Sequence, residues 1–164
     1  MKKVTAFFLC VCLIFSTCAI TSFATEKEDE NKYVLISESV EYLEDGSSIV
    51  TKVYQEEFPE NAMLGSRAVN QTSGIKTTQK KDAIGTLLYT FSVHGTFTYN
   101  GAYATATKAT YSKVIYKNLY TLGSATTSCN QNFASATGNF YDTLGNFHYT
   151  LNPILTCDAY GNLS

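Results

Sequence analysis

The chain has no tryptophan and only two prolines and two histidines in 164 residues. Without tryptophan it lacks the largest amphipathic ring, so any stacking surface must be built from tyrosine. The histidines, His94 and His148, leave little room for imidazole chemistry. A hydrolytic triad would need His148 beside Asp142 or Asp158, and no serine sits in a glycine-framed nucleophile turn. We assign no catalytic residue on this basis. Beyond residue 60 the acids are Asp82, Asp142 and Asp158 alone, which gives no support to the paired carboxylates of glycoside hydrolysis. Cys129, Cys157 and His148 are too scattered for a metal centre, and the acids at 26–30 and at Glu56, Glu57 and Glu60 lack the Asx and Gly spacing of a calcium loop. No metal or cofactor is expected.

Long apolar runs are missing too, apart from Val4 to Ile20 near the start. That run is interrupted by Ser16 and Thr17 and falls short of the roughly 20 apolar residues of a membrane span. Lys2 and Lys3 precede it and Ser22-Phe23-Ala24 follows it, which is the layout of a secretory signal peptide over residues 1–24. The mature chain is then expected to start at Thr25, secreted, with no stable membrane insertion. Phe15-Ser16-Thr17 is a poor lead-in for lipid attachment at Cys18. Of five cysteines, Cys10, Cys12 and Cys18 fall in the leader. Cys129 and Cys157 remain, and an exported chain with one pair predicts one disulfide, worth about 3.6 kcal/mol in the chain-entropy account.

Charge is low and unevenly placed. Lys and Arg number 12 against 14 Asp and Glu, for a formal charge of -2. Residues 25–60 carry net -8 and residues 61–164 net +4. The two parts attract one another, as an acidic pro-segment on a basic domain would, or as ordinary surface decoration would. Seven basic and three acidic residues beyond residue 60 form no stripe dense enough for nucleic acid.

What the chain does have is alternation. Leu87, Tyr89, Phe91, Val93, Gly95, Phe97 and Tyr99 interleave with Leu88, Thr90, Ser92, His94, Thr96 and Thr98, which predicts a long half-buried strand with its rings on one face and a bend at Gly95. Asn100-Gly101 predicts a two-residue turn pairing Tyr99 with Ala102 and Phe97 with Ala104, with a slip near Gly95 and Lys108. Residues 25–32 hold no apolar residue and read as an acidic mobile tether. Tyr33 to Leu43 and Ser48 to Gln55, joined at Asp45-Gly46, read as an acidic hairpin over 33–55 that must dock on something, since isolated hairpins are marginal. Residues 56–82 show neither period and read as a polar linker or draped loop, with Arg67 its most cleavable point. Further strands are expected at Ala102 to Tyr116, Leu119 to Ser128, Phe133 to Tyr141 and Phe147 to Thr156, with Gly145 free to take positive φ in the turn before the last. The expected fold is all-β, an antiparallel β-sandwich or short barrel of about seven strands, with the main domain at 83–164.

The segment Gly95-Thr96-Phe97-Thr98-Tyr99-Asn100-Gly101-Ala102, with Ala104-Thr105-Ala106-Thr107 behind it and Leu155-Thr156-Cys157 to Gly161-Asn162-Leu163-Ser164 at the end, resembles small exported β-sandwich proteins of Gram-positive bacteria that carry no assigned activity. The resemblance covers about residues 84–164. It implies export and fold and carries over no functional residue.

Twelve tyrosines are the remaining candidates for recognition, because a tyrosine ring offers contact area with little rotamer entropy to lose. Tyr103 and Tyr111, on the return strand, are the expected binding residues. The expected function is a secreted, non-enzymatic module that binds an extracellular protein or glycan. The competing expectation is a secreted toxin or bacteriocin masked by its acidic N-terminal segment.

Overall fold

A computed structural model of the protein describes residues 33–57 and 70–164. The expected signal peptide, the tether and Arg67 lie outside the described residues. The described chain forms β1 (Tyr33–Tyr42), β2 (Ser48–Glu56), β3 (Asn70–Lys81), β4 (Leu87–Tyr99), β5 (Ala104–Ile115), β6 (Tyr120–Asn130), β7 (Phe133–Asp142), β8 (Phe147–Leu151) and β9 (Ile154–Thr156). Every pairing is antiparallel: one sheet runs β1-β2-β3-β4-β5, the other β6-β7-β8 with β9 also on β7. The chain is all-β, as its alternation requires. Neither sheet closes on itself, so the barrel alternative is corrected to two open layers.

β3 corrects the expectation of a linker or draped loop over 56–82. Its sequence, NQTSGIKTTQKK, has no apolar alternation. Its strand character comes from its neighbours: Ser48 to Gln55 of β2 pair with it on one side and Leu87 to Tyr99 of β4 on the other. Backbone hydrogen bonds on both edges override weak side-chain preference. β3 is also what the acidic hairpin docks on. The hairpin therefore belongs to the same sheet as β4, and the main domain does not begin at residue 83.

The two layers meet through β4 and β7. Tyr89 stacks on Phe140 with ring centroids 4.0 Å apart, and Phe91 meets Phe140 edge-on at 5.9 Å. A Cβ on Gly138 would lie 2.9 Å from the Phe91 ring, and a Cβ on Gly95 would lie 3.0 Å from both Ala134 and Leu155. Residues 89, 91 and 95 thus face 140, 138 and 134, so the strands run in opposite directions across the layers, large groups against small ones. The ring-bearing side of β4 is fully buried, with Tyr89, Phe91, Val93 and Phe97 all at 0% exposure, and Leu88, Thr90 and Ser92 on its other side are buried too, which the expected half-buried strand did not include. Each of those first four side chains is worth about 1.5–3 kcal/mol in burial.

The β4–β5 register corrects the two-residue turn. Tyr99 pairs with Ala104 and Phe97 with Ala106, so residues 100–103 form a longer loop. The Asn100 carboxamide oxygen accepts from the backbone N–H groups of Ala102 (3.0 Å) and Tyr103 (3.1 Å), and this holds the loop open. The shift is two residues, an even number, so Ala104 and Ala106 still face the core. The expected slip is present as a bulge between Thr96 and Phe97.

The close fit at Gly138 gives a test. Gly138 has no positive φ that only glycine tolerates, so Gly138→Val adds a good strand former whose cost is steric. Overpacking of this kind costs about 1–3 kcal/mol. The denaturant midpoint should fall with the slope unchanged; an unaltered midpoint contradicts the interlayer contact.

Candidate functional site

At the end of the molecule where β4 turns into β5, three segments enclose a hollow of about 510 Å3. The β4–β5 loop contributes Ala102 and Tyr103, with Thr105 just inside β5; the β6–β7 turn contributes Gln131 and Asn132; the C-terminal segment contributes Cys157, Asp158 and Ala159. Backbone bonds tie these walls together. The N–H of Gly101 donates to the carbonyl of Ala159 (2.8 Å), that of Ala106 to Gln131 (2.6 Å) and that of Cys157 to Asn132 (2.9 Å). The Asn132 side-chain amide donates to the Cys157 carbonyl at 3.1 Å. Walls fixed in this way lose little entropy when a ligand enters.

Two backbone features set the shape. Gln131 takes φ 47 in the tight turn between β6 and β7, a region L-residues with long side chains seldom occupy and one that is concentrated at functional positions. Asp158 closes a turn over residues 158–162. Its Oδ1 accepts from the N–H groups of Tyr160 and Asn162 and its Oδ2 from the Asn162 amide. Asp142 braces residues 142–146 through the same bonds to Leu144 and Asn146. The Asn162 amide, followed by these backbone donors, holds the Asp158 carboxyl below the usual carboxylate range. That carboxylate is consumed by the turn and is not available as a proton acceptor.

Tyr103 is 64% exposed. Among the described residues the side chains of Tyr103, Thr105 and Gln131 make no hydrogen bond. The hollow thus offers an open ring face, a hydroxyl and a free carboxamide, which are groups that hold a ligand.

Tyr111 does not join them. It pairs with Val93 on the core-facing side of β5, and its ring centroid lies 5.5 Å from that of Phe91. The two expected binding residues are thus apart: Tyr103 lines the hollow and Tyr111 shields the core edge. Gln131, Asn132 and Thr105 were not singled out from the sequence as site residues, and Asp158 was weighed only as a partner for His148. The visible signal for them was the repeated spacing of Asp142-Thr-Leu-Gly-Asn146 and Asp158-Ala-Tyr-Gly-Asn162, which marks two rigid turns of one design.

The histidines stand apart from the hollow. His94 Nε2 lies 2.8 Å from the Ser112 hydroxyl on the outer face of β4 and β5. His148 Nδ1 lies 2.7 Å from the Tyr89 hydroxyl. A bulge in the β7–β8 ladder between Tyr149 and Phe147 skips His148 and turns it to the core. Burial, followed by the Lys80 charge, lowers its pKa. No group of His, Cys, Asp or Glu able to hold a metal occurs among the described residues.

The expected Cys129–Cys157 disulfide is overturned: both are free, Cys129 exposed and Cys157 buried. β7 lies between them, since Cys129 pairs with Ala134 on one side and Leu155 pairs with Ala134 on the other. Two strand spacings put those rows about 10 Å apart, beyond the roughly 7 Å limit on Cα separation for a bridge. Burial, aided by Asp158, pushes the Cys157 thiol up to about 11, so it stays protonated at neutral pH.

Comparison with family models, curated proteins and solved structures finds no match.

The two thiols should differ sharply in reactivity. A colorimetric thiol reagent on the native protein should modify Cys129 at once and Cys157 only after denaturant is added. A native chain that titrates no thiol, even unfolded, contradicts the assignment.

Proposed function

We propose that the protein is an exported β-sandwich binding module whose Tyr103 hollow takes a glycan. The observation that carries this reading is the pairing of an open Tyr103 ring with the unbonded Gln131 carboxamide and Thr105 hydroxyl. Sugars present both an apolar ring face and hydroxyls, so one aromatic surface beside convergent donors and acceptors suits them. The walls are fixed by backbone hydrogen bonds, which favours a small rigid ligand over a large adaptable one. The charge-poor lining agrees: the one carboxylate, Asp158, is taken up by its own turn.

A second reading is supported by β3. Its core-facing side carries Thr72, Lys76, Thr78 and Lys80, and inward-pointing charge is a device of edge strands. The hairpin that covers it brings acids to those lysines, with Asp45 acting on Lys80 and Glu41 lining the cavity that holds Lys76. This arrangement suits an acidic pro-segment that masks a basic domain until cleavage, as a secreted toxin would use. Intact mass of protein recovered from culture medium separates the two. A chain starting at Thr25 supports the binding module; a chain starting after Arg67 supports the masked toxin.

The binding reading is tested on an array of glycans and surface proteins. Tyr103→Ala should weaken binding at least about tenfold, near 1.4 kcal/mol, while Tyr111→Ala should leave it unchanged. Binding that survives Tyr103→Ala, or an array with no signal, argues against the hollow as the site.

A further inference from the structure

A second cavity, of about 340 Å3, lies between the core-facing side of β1–β3 and the β8–β9 connection. It lies where the five-stranded sheet outreaches its partner: β1 is exposed along almost its whole length, whereas Ile49 and Val53 of β2 are still buried in the core. Its lining includes Thr51, Lys76, Thr78, Tyr149 and Asn152, with Glu41 on the β1 side.

Lys76 is the residue in need of an explanation. In the ladder it sits between Val53 of β2 and Val93 of β4, whose exposures are 2% and 0%. Its stem therefore crosses apolar core before the ammonium reaches the cavity. Lys80, four residues along the same face, is accounted for. Its Nζ donates to the Ser47 hydroxyl at 2.6 Å, Ser47 in turn donates to Asp45, and the same Nζ lies 4.5 Å from the centre of the Tyr149 ring. Lys76 has no such arrangement: it forms no ion pair or hydrogen bond among the described residues. Burial alone lowers its pKa. A methionine or leucine there would avoid the desolvation cost of a cation, so the charge is kept against a penalty.

We propose that Lys76 anchors a small hydroxylated carboxylate of the sugar-acid class in this cavity. The carboxylate sits on the Lys76 ammonium, a charge-assisted contact strengthened by partial burial. The Thr51 and Thr78 hydroxyls flank that position on neighbouring strands and are paired in register. Tyr149 borders the cavity from the other layer, whereas the Asn152 side chain takes no part: its Oδ1 accepts from Thr137 at 3.0 Å on the outer face of β7. The two threonine hydroxyls match ligand hydroxyls. One cation with Glu41 on the rim suits a monoanion and disfavours a phosphate dianion. The volume is within the range of small-molecule pockets. The site is separate from the Tyr103 hollow and does not depend on the glycan reading.

Amide-resolved NMR of the full chain, titrated with glucuronate at fixed ionic strength, tests the proposal, with glucose and inorganic phosphate as parallel titrants. Glucuronate should shift the amides of Thr51, Lys76, Thr78 and Tyr149, with glucose and phosphate at least about tenfold weaker. Lys76→Met should abolish the shifts while the thermal midpoint holds or rises, and Lys76→Arg should keep binding within about tenfold of the parent. Should Lys76→Met fail to fold, Thr78→Val should still weaken glucuronate with the fold intact. Phosphate binding as tightly as glucuronate, shifts spread over the other lysines, no localised shift, or binding that survives loss of the ammonium would each overturn the proposal.

Discussion

The ring contact between β4 and β7 is the constraint on which the rest depends. Tyr89 stacks on Phe140, and Phe91 projects into space that exists only because residue 138 is glycine. Ala134, Ala136 and Gly138 give β7 a low surface, so the rings of β4 can reach across the layers without separating them. Interiors pack at crystal-like density, and large groups on one strand demand small ones opposite. This pairing fixes the alignment of the layers, and that alignment brings the β4–β5 loop, the β6–β7 turn and the C-terminal turn to one end.

Unequal layer width is the second determinant. Five strands face a narrower sheet, so part of the first layer has no opposing strand. Beside that overhang polar and charged groups meet the core side: Thr78, Lys76 and Lys80 on β3, with Thr51 and Glu41 nearby. Lys80 is stabilised there by a serine, a carboxylate and a ring face, each of which offsets part of its desolvation. Both cavities are consequences of the same geometry, one at the end of the layers and one beneath the overhang. The two differ in character: the first is walled by backbone-tied turns whose one carboxylate, Asp158, is taken up by its own turn, and the second holds an unpaired cation.

The strand pattern of β4 was plainly legible, because period two with seven apolar or glycine positions on one face can turn only that face to the core; the burial of Leu88, Thr90 and Ser92 on the other side left no such trace. The turns at Asp45-Gly46 and Gly145 were legible for a local reason: both glycines take positive φ, at 77 and 85. β3 was not legible, since its strand hydrogen bonds are supplied by β2 and β4 and its polar residues leave no periodic trace. Of the hollow, Tyr103 was legible as an unexplained ring. Gln131, Thr105 and Asp158 were not, because they lie far apart along the chain and only the packing of three turns brings them together. The Cys129–Cys157 pairing failed for a related reason: an even pair of cysteines states that a bridge is chemically allowed, whereas the intervening strand decides that it is geometrically out of reach.

By itself the sequence determined which side of each alternating strand turns inward and where the chain can reverse, because side-chain period and glycine conformational freedom are local properties. The tertiary structure alone decided which strands became neighbours, which layer each joined, and which polar groups ended up sharing a cavity. Those outcomes depend on shape complementarity between segments distant in sequence, such as Phe91 against Gly138, and no local pattern encodes the distance between them.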